Sequence, residues 1–393
     1  MKNKKIIFII LGVVIFLGLA SIASVEIYKK YFKVYAVNLN YDIDVYSDKT
    51  LFDFKDDIAC NLESDKEIDT KEVGNTQVTV ICRNDEKKRF KYIIDFNVVD
   101  TVAPKIILKD SYTVTEGYEK SLTDVIISVD NYDDTPKREI IGDYDFNQVG
   151  SYNLVYKVTD NSGNFTTQEF TLNVIPKKKS TPSTSYIAFS DALKDYKTDN
   201  TELGIDVSKW QGEIDFKKVK EAGAEFVIIR ISHQDGFNGE YIIDPYFKNN
   251  IESAKENGLK VGVYFYSYAN SVEEAKKQAN WIVDNLKDYK IDLPIVYDWE
   301  SWSEFNSMNV SLYKFNEIAD SFLEEIEKNN YTPMLYSSKN YLENIWDNQK
   351  YKVWLAHYTT KTNYQGEYYM WQMCSDGRID GINGDVDIDI LYK

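Results

Sequence analysis

Histidine and cysteine are scarce in this chain of 393 residues: two histidines, His233 and His357, and three cysteines, Cys60, Cys82 and Cys374. Neither HExxH nor CxxC occurs, and no Cys/His cluster has metal-ligand spacing, so no zinc site and no cofactor is expected. A Ser-His-Asp triad would have to recruit one of the two histidines, which fall in a loop after a strand and at a strand end. Positive charge is in deficit as well: 46 Lys and Arg stand against 63 Asp and Glu, a net charge of −17. Such a surface repels phosphates, which argues against a nucleic-acid partner. Proline is sparse, and two of the seven fall in "PKKKSTPSTS", residues 176–185, which reads as a linker.

One long apolar run is present. "IIFIILGVVIFLGLASIASV", residues 6–25, holds 20 residues without a charge, enough to span a bilayer as a helix at about 1.5 Å per residue. The lysines of "MKNKK" place residues 1–5 in the cytoplasm as a short tail, so the rest of a single-pass protein faces outward. The alternative is a cleaved signal peptide, with Ser21-x-Ala23 as the cleavage signature, and secretion. Either way the bulk is extracytoplasmic, where a Cys60–Cys82 disulfide could persist and Cys374 is left as a small strand hydrophobe.

An internal repeat follows. A shift of 76 residues lays "DTKEVGNTQVTVICRNDEKKRFKYIIDFNVV" on "DFNQVGSYNLVYKVTDNSGNFTTQEFTLNVI" without a gap. Asp69, Val73, Gly74, Asn97 and Val98 recur as Asp145, Val149, Gly150, Asn173 and Val174. Each copy reads turn, alternating strand, polar loop, alternating strand, which is a hairpin pattern. Two small all-β sandwiches are expected, at residues 34–100 and 101–176. The motifs "VDTVAPKI", "VGSYNLVYKVTDNSGN" and "LNVIP" give the second a resemblance to bacterial immunoglobulin-like modules, which implies a spacer role for both. A linker over residues 177–201 is expected next, its later part also readable as a lead-in to the following domain.

From residue 202 to 393 the pattern becomes strand and helix in alternation. Candidate strands are "LGIDVS", "FVIIRI", "KVGVYFYS", "LPIVYDWE", "PMLYSS", "KVWLAHY", "YYMWQM" and "DVDIDILY". The earlier ones are near-continuous apolar runs, as parallel strands buried on both faces require. Helices are expected over 215–224, 245–257, 272–289, 310–329 and 339–346, and the last three strands are joined by loops too short for crossover helices. The expected fold is an irregular α/β barrel of eight strands with helices after the first five only. A regular eightfold barrel takes about 250 residues.

Catalytic groups of such barrels collect at the C-terminal ends of the strands, which selects Asp206, Tyr266, Asp298, Glu300 and Trp371. Asp387 opens the last strand or lies just inside it. Asp298 and Glu300 fall on one side of their strand and Trp299 on the other. Their Cα atoms should stand about 6–7 Å apart, a frame on which two carboxyls can flank one glycosidic bond. Asp65 and Glu67 share the spacing but sit in a solvated stretch. Tyr266, Trp371, Trp210, Trp299 and Trp302 all suit a barrel core. Of these, Tyr266 and Trp371 also suit stacking on sugar faces, and Trp299 belongs with the core.

Together, "GIDVSKWQGEIDFKKVKEAGAEFVIIR", "DPYFKNNIESAKENGLKVGVYFYSYA", "PIVYDWE" and "MWQMCSDGRIDGINGDVDIDILY" resemble the glycoside hydrolase family 25 muramidases, lysozymes of the Chalaropsis type. The likeness covers residues 203–393. It implies hydrolysis of the β-1,4 bond between N-acetylmuramic acid and N-acetylglucosamine in peptidoglycan. Glu300 is then the general acid, and Asp298 either attacks the anomeric carbon or orients the substrate's N-acetyl group to do so. Asp206 and Asp387 match two further acidic positions, with Asp385 and Asp389 as neighbours able to stand in for the latter. Tyr266, Trp371, Gln372, Tyr264 and Tyr336 are the implied substrate-binding residues. Many family members carry His in the third strand where this chain has Phe265. A non-catalytic wall-binding scaffold would not need four carboxylates, and an amidase or endopeptidase would need metal ligands or a Cys/His pair. The expected setting is local wall opening by a tethered enzyme, for a secretion or conjugation apparatus whose components the sequence does not specify.

Overall fold

In the computed structural model, the backbone is described for residues 2–177, 185–347 and 350–393, and side chains for these except 2–11, 13, 30 and 31. The chain divides into two units, Met1–Val102 and Ala103–Lys393. The first opens with a helix, Lys2–Tyr31, which contains the long apolar run. The early part of the expected anchor lies outside the described side chains, and among the described residues no helix is long and apolar enough to cross a membrane. The described apolar side chains of the run, among them Phe16 and Ile22, are exposed.

Residues 34–100 form one three-stranded sheet in which Arg89–Val99 lies between Val34–Asp44 and Gly74–Arg83. This corrects the expected sandwich, because among the described residues no second sheet faces it. The intervening segment is too acidic and turn-rich to alternate as strands. It supplies a 3-10 helix, Leu51–Asp57, instead, whose Leu51 is buried and whose Phe54 packs on Tyr41 and Phe96. Cys60 and Cys82 are bonded, with Cα atoms 6.0 Å apart, and Cys374 is free and buried.

The repeat is visible in register. Gly74 pairs with Val98 and Gly150 with Val174, so the 76-residue offset carries one hairpin onto the other. In each copy a further strand runs parallel to the hairpin's second arm, Val34–Asp44 in the first and Ser111–Thr115 in the second. The second copy adds Lys137–Ile141 to this sheet and has a separate pair, Lys105–Ile106 with Ser128–Val129. Tyr156, Val158, Leu172 and Val174 fill its core.

The second repeat and the barrel belong to one unit. Asn306, in the 3-10 turn Trp302–Met308, is buried at their seam. Its amide donates to the carbonyls of Thr123 and Ile126, both at 2.8 Å, and its oxygen accepts from the Ser128 amide at 3.1 Å. Leu312 N–H donates to Asp130 O at 2.7 Å, and Ile127 and Val129 join the barrel's outer core. The module is therefore a fixed wall of the barrel. Of the expected linker, residues 178–184 lie outside the described residues. Beyond them Ile187–Ala188 pairs with the seventh barrel strand, and the helix Phe189–Tyr196 buries Phe189 and Ala192 in the barrel's outer core. The lead-in reading applies to this part.

Eight strands close the barrel: Thr201–Val207, Phe226–Gln234, Lys260–Tyr266, Ile295–Asp298, Pro333–Ser338, Lys352–Ala356, Met370–Arg378 and Val386–Tyr392. The first seven are parallel in sequence order, and the eighth runs antiparallel to both its neighbours, the first and the seventh. Among the described residues, helices follow only the first five: Phe216–Glu221, Phe247–Glu256, Val272–Asn285, Leu312–Lys328 and Lys339–Asn344. Alternation sorts the side chains. Phe226, Ile228, Val296, Met334 and Trp354 fill the lumen, while Val227, Ile229, Ile295, Tyr297 and Leu335 face the helices. Gly204 is required where the first two strands meet, since a Cβ there would stand 2.5 Å from Phe226 O.

Candidate active site

At the C-terminal ends of the strands the lumen opens into a cavity of about 240 Å³. Asp206, Asp298, Glu300, Asp387, Tyr264, Tyr266, Tyr336 and Gln372 all line it, so eight of the nine residues proposed from the sequence come together. Trp371 does not. It is buried in the outer core, donates from Nε1 to His357 O at 2.9 Å, and meets Tyr196 edge-on. Gln372 points into the lumen, and its neighbour on the strand must point out. Phe265 likewise faces the helices, against Tyr241 and Trp281, so the departure from the family's His leaves the cavity untouched. Neither histidine lines the cavity. Trp299 is wholly buried among Trp302, Phe305 and Phe315.

The acidic groups form two levels. At the upper level, Asp206 and Asp387 face each other across antiparallel strands. Asp385, beside them in sequence, turns outward to pair with Arg378. At the lower level, Asp389 is fully buried and accepts from Trp354 Nε1 at 2.8 Å. A polar chain links the walls: Tyr336 Oη donates to Gln372 Oε1 at 2.9 Å, and Gln372 Nε2 donates to Asp206 Oδ2 at 2.8 Å. Tyr358 Oη donates to the same Gln372 oxygen at 3.1 Å.

Loss of water and mutual repulsion favour the neutral carboxyls here. Burial raises Asp206 well above the usual carboxylate range, helped by the charges of Asp387 and Asp389. Asp387 is pushed up to about 7 by burial, with Glu300 and Asp385 adding to it. Asp298 is raised by burial and by Glu300, and pulled back by the Arg230 guanidinium. Glu300 stands exposed at the mouth, yet the concave walls displace enough water to raise it too, while the nearby Tyr336 phenol pulls it back. Asp298 Oδ1 is buried and has no hydrogen-bond partner among the described residues, an uncommon state for a carboxylate.

Arg230 was not among the residues read from the sequence. Its Nε and Nη2 donate to Asp244 Oδ2 at 2.9 and 2.7 Å, and Asp244 also accepts from Lys209 N–H, tying down the loop before Trp210. A lone cation inside the apolar run "FVIIRI" was the available signal. Trp210 is 78% exposed at the rim, with Lys209 Nζ 4.9 Å from its ring centre, which corrects its reading as core. Its place directly after the first strand could have marked it, since that is where barrel sites are built.

Three comparisons bear on this geometry. The profile of Glycosyl hydrolases family 25 matches residues 205–382. The uncharacterized protein YegX of Escherichia coli (strain K12) is 30% identical over 193 residues, covering 48% of this chain and 68% of that one. The autolytic lysozyme of Clostridium acetobutylicum is 27% identical over 189 residues, 47% of this chain and 54% of that one, so the chain spans about half of that relative's length. Among solved structures, a family 25 glycosyl hydrolase from Bacillus anthracis aligns with a TM-score of 0.44 at 22% identity, over 54% of this chain and 95% of that one.

Proposed function

Since the chain belongs to glycosyl hydrolases family 25 and is a glycoside hydrolase of the muramidase class, we propose that Glu300 and Asp298 together hydrolyse the β-1,4 bond between N-acetylmuramic acid and N-acetylglucosamine in peptidoglycan. The observation that carries this assignment is the pair itself. Two carboxyls two residues apart line one cavity, both raised, and the deeper one has a buried oxygen without a hydrogen-bond partner among the described residues.

Glu300, whose protonated form burial favours, donates to the oxygen of the leaving sugar. The Arg230 cation opposes the rise that burial and Glu300 impose on Asp298; once ionised, Asp298 stabilises the positive charge growing at the anomeric carbon. Of the two routes for Asp298, we favour orientation of the substrate's N-acetyl group, since a carboxylate is the acceptor that an acetamide N–H needs. Asp206 and Asp387 position the sugar through the Gln372 and Tyr336 chain. The apolar run at residues 6–25 tethers the enzyme to the outer face of the cell membrane, and the first repeat spaces it toward the wall, as immunoglobulin-like modules would.

Digestion of purified cell wall tests the chemistry. New reducing ends without new amino groups are expected, and Glu300→Gln should abolish them while melting at the temperature of the unaltered chain. Retained turnover in that variant would refute the assignment.

A further inference from the structure

The seam between the second repeat and the barrel carries a larger cavity than the acidic cleft, about 680 Å³ against 240 Å³. Ligand pockets usually run from about 300 to 1,000 Å³. The cleft by itself therefore suits the reacting end of a polymer, and the seam has room for the portion that continues.

We propose that this seam is a binding subsite for the glycan strand, in which Tyr112 and Tyr118 of the second repeat face Trp302 and Tyr341 of the barrel across the bound sugars. The proposal rests on the glycan-hydrolase reading of the barrel. Four observations support it.

The lining is amphipathic in the way sugars are. Trp302 and Tyr341 stack with ring centres 3.6 Å apart, and the two tyrosines of the repeat add phenolic hydroxyls beside apolar rings. Such rings meet the C–H faces of sugars while their polar tips reach hydroxyl and acetamide groups.

The seam adjoins the chemistry. The Trp302 amide donates to the Glu300 carbonyl at 2.7 Å. Burial and then the Glu300 charge raise the Tyr341 phenol to about 12. Burial raises Tyr112 to about 12 as well, with Tyr118 and then Tyr341 contributing. Tyr112, Tyr118 and Tyr341 line the same groove.

The wall is fixed. Asn306 locks the repeat to the turn that begins two residues after Glu300, so the facing rings are already in place before a substrate arrives.

The rim has the right charge. Lys109 and Lys120 outnumber Glu119 on the seam's lining, in a chain of net charge −17. They favour a polymer whose stem peptides carry carboxylates, while the aromatic floor takes the sugars.

Two substrates separate this subsite from the catalytic assignment: long glycan strands stripped of stem peptides, and a tetrasaccharide that places only two sugars on each side of the bond cut. In the full chain, Tyr112→Ala with Tyr118→Ala should lower kcat/KM on the long strands about five- to tenfold, chiefly through KM. The tetrasaccharide should be cleaved as before. Ser111→Trp, an exposed position on the groove wall, should give the same split by blockage. If Ser111→Trp changes neither substrate, or both equally, the subsite is refuted. A loss confined to strands that keep their stem peptides would also refute it, in favour of peptide recognition. Failure of the unaltered chain to cleave either substrate would instead refute the hydrolase reading on which the subsite rests.

Discussion

Asn306 is the residue whose replacement should most clearly separate docking from chemistry. It is 6% exposed and makes three hydrogen bonds across the seam, at 2.8, 2.8 and 3.1 Å. In Asn306→Ala the Ile126 carbonyl keeps its bond from Tyr156 Oη, at 3.2 Å. The Thr123 carbonyl and the Ser128 amide each lose the partner that Asn306 supplied. At about 1–3 kcal/mol for each stranded group, the loss is about 2–6 kcal/mol. Spread over a unit as long as Ala103–Lys393, at about 2 °C per kcal/mol, this is a fall in Tm of about 4–12 °C. Asn306→Asp should be worse than Ala, because it keeps the acceptor for Ser128 but sets a buried anion against two carbonyl oxygens. Differential scanning calorimetry measures both, with hydrolysis of long and short glycans run alongside. The long substrate should suffer more in each variant. Melting of both within about 1 °C of the unaltered chain, the range of an inconsequential surface change, would refute the idea that this side chain holds the wall in place.

Two further outcomes follow from the acidic cavity. Asp387 has a folded-state pKa near 7 against an ordinary carboxylate value near 4 when unfolded, so the folded state holds the extra proton between them. Its contribution to stability is full below about pH 4 and is lost as pH rises through 7. Asp387→Asn should therefore stabilise the chain above neutrality, by on the order of 1–2 kcal/mol once water at the mouth is allowed for. The same change removes a negative charge from beside Glu300, so the alkaline limb of the activity profile should move to lower pH; an unmoved limb would uncouple the two groups. Trp210→Ala should raise KM about three- to tenfold with kcat nearly unchanged, as expected of an exposed ring that only binds. A fall in kcat at constant KM would place it in the chemistry instead.

Much of the barrel could be read from the chain because its cause is local. Strands buried on both faces need unbroken apolar runs, so "FVIIRI" and "KVGVYFYS" announce themselves, and period-two alternation puts Asp298 with Glu300 and sets Trp299 apart. The repeat was equally legible, since identical turns at a constant offset impose one register on both hairpins. Trp371 failed because the strand-end rule selects height along a strand and not the side to which a residue points; its neighbour Gln372 had already taken the inner face. The missing second sheet near Leu51 failed for a related reason. A hairpin's signature says nothing about what will cover it.

By itself, then, the sequence determined the elements, their order and the carboxylate pair, all of which follow from spacing and polarity over a few residues. Only the tertiary structure decided that the Arg230 charge is felt at Asp298, that Asp389 lies buried beneath Asp206, and that the second repeat packs as a wall of the barrel. Each of these depends on groups distant in the chain meeting where water has been removed. Asn306 and Thr123 have no local pattern in common; the hydrogen bond between them exists because the closed barrel brings its fourth loop against that repeat.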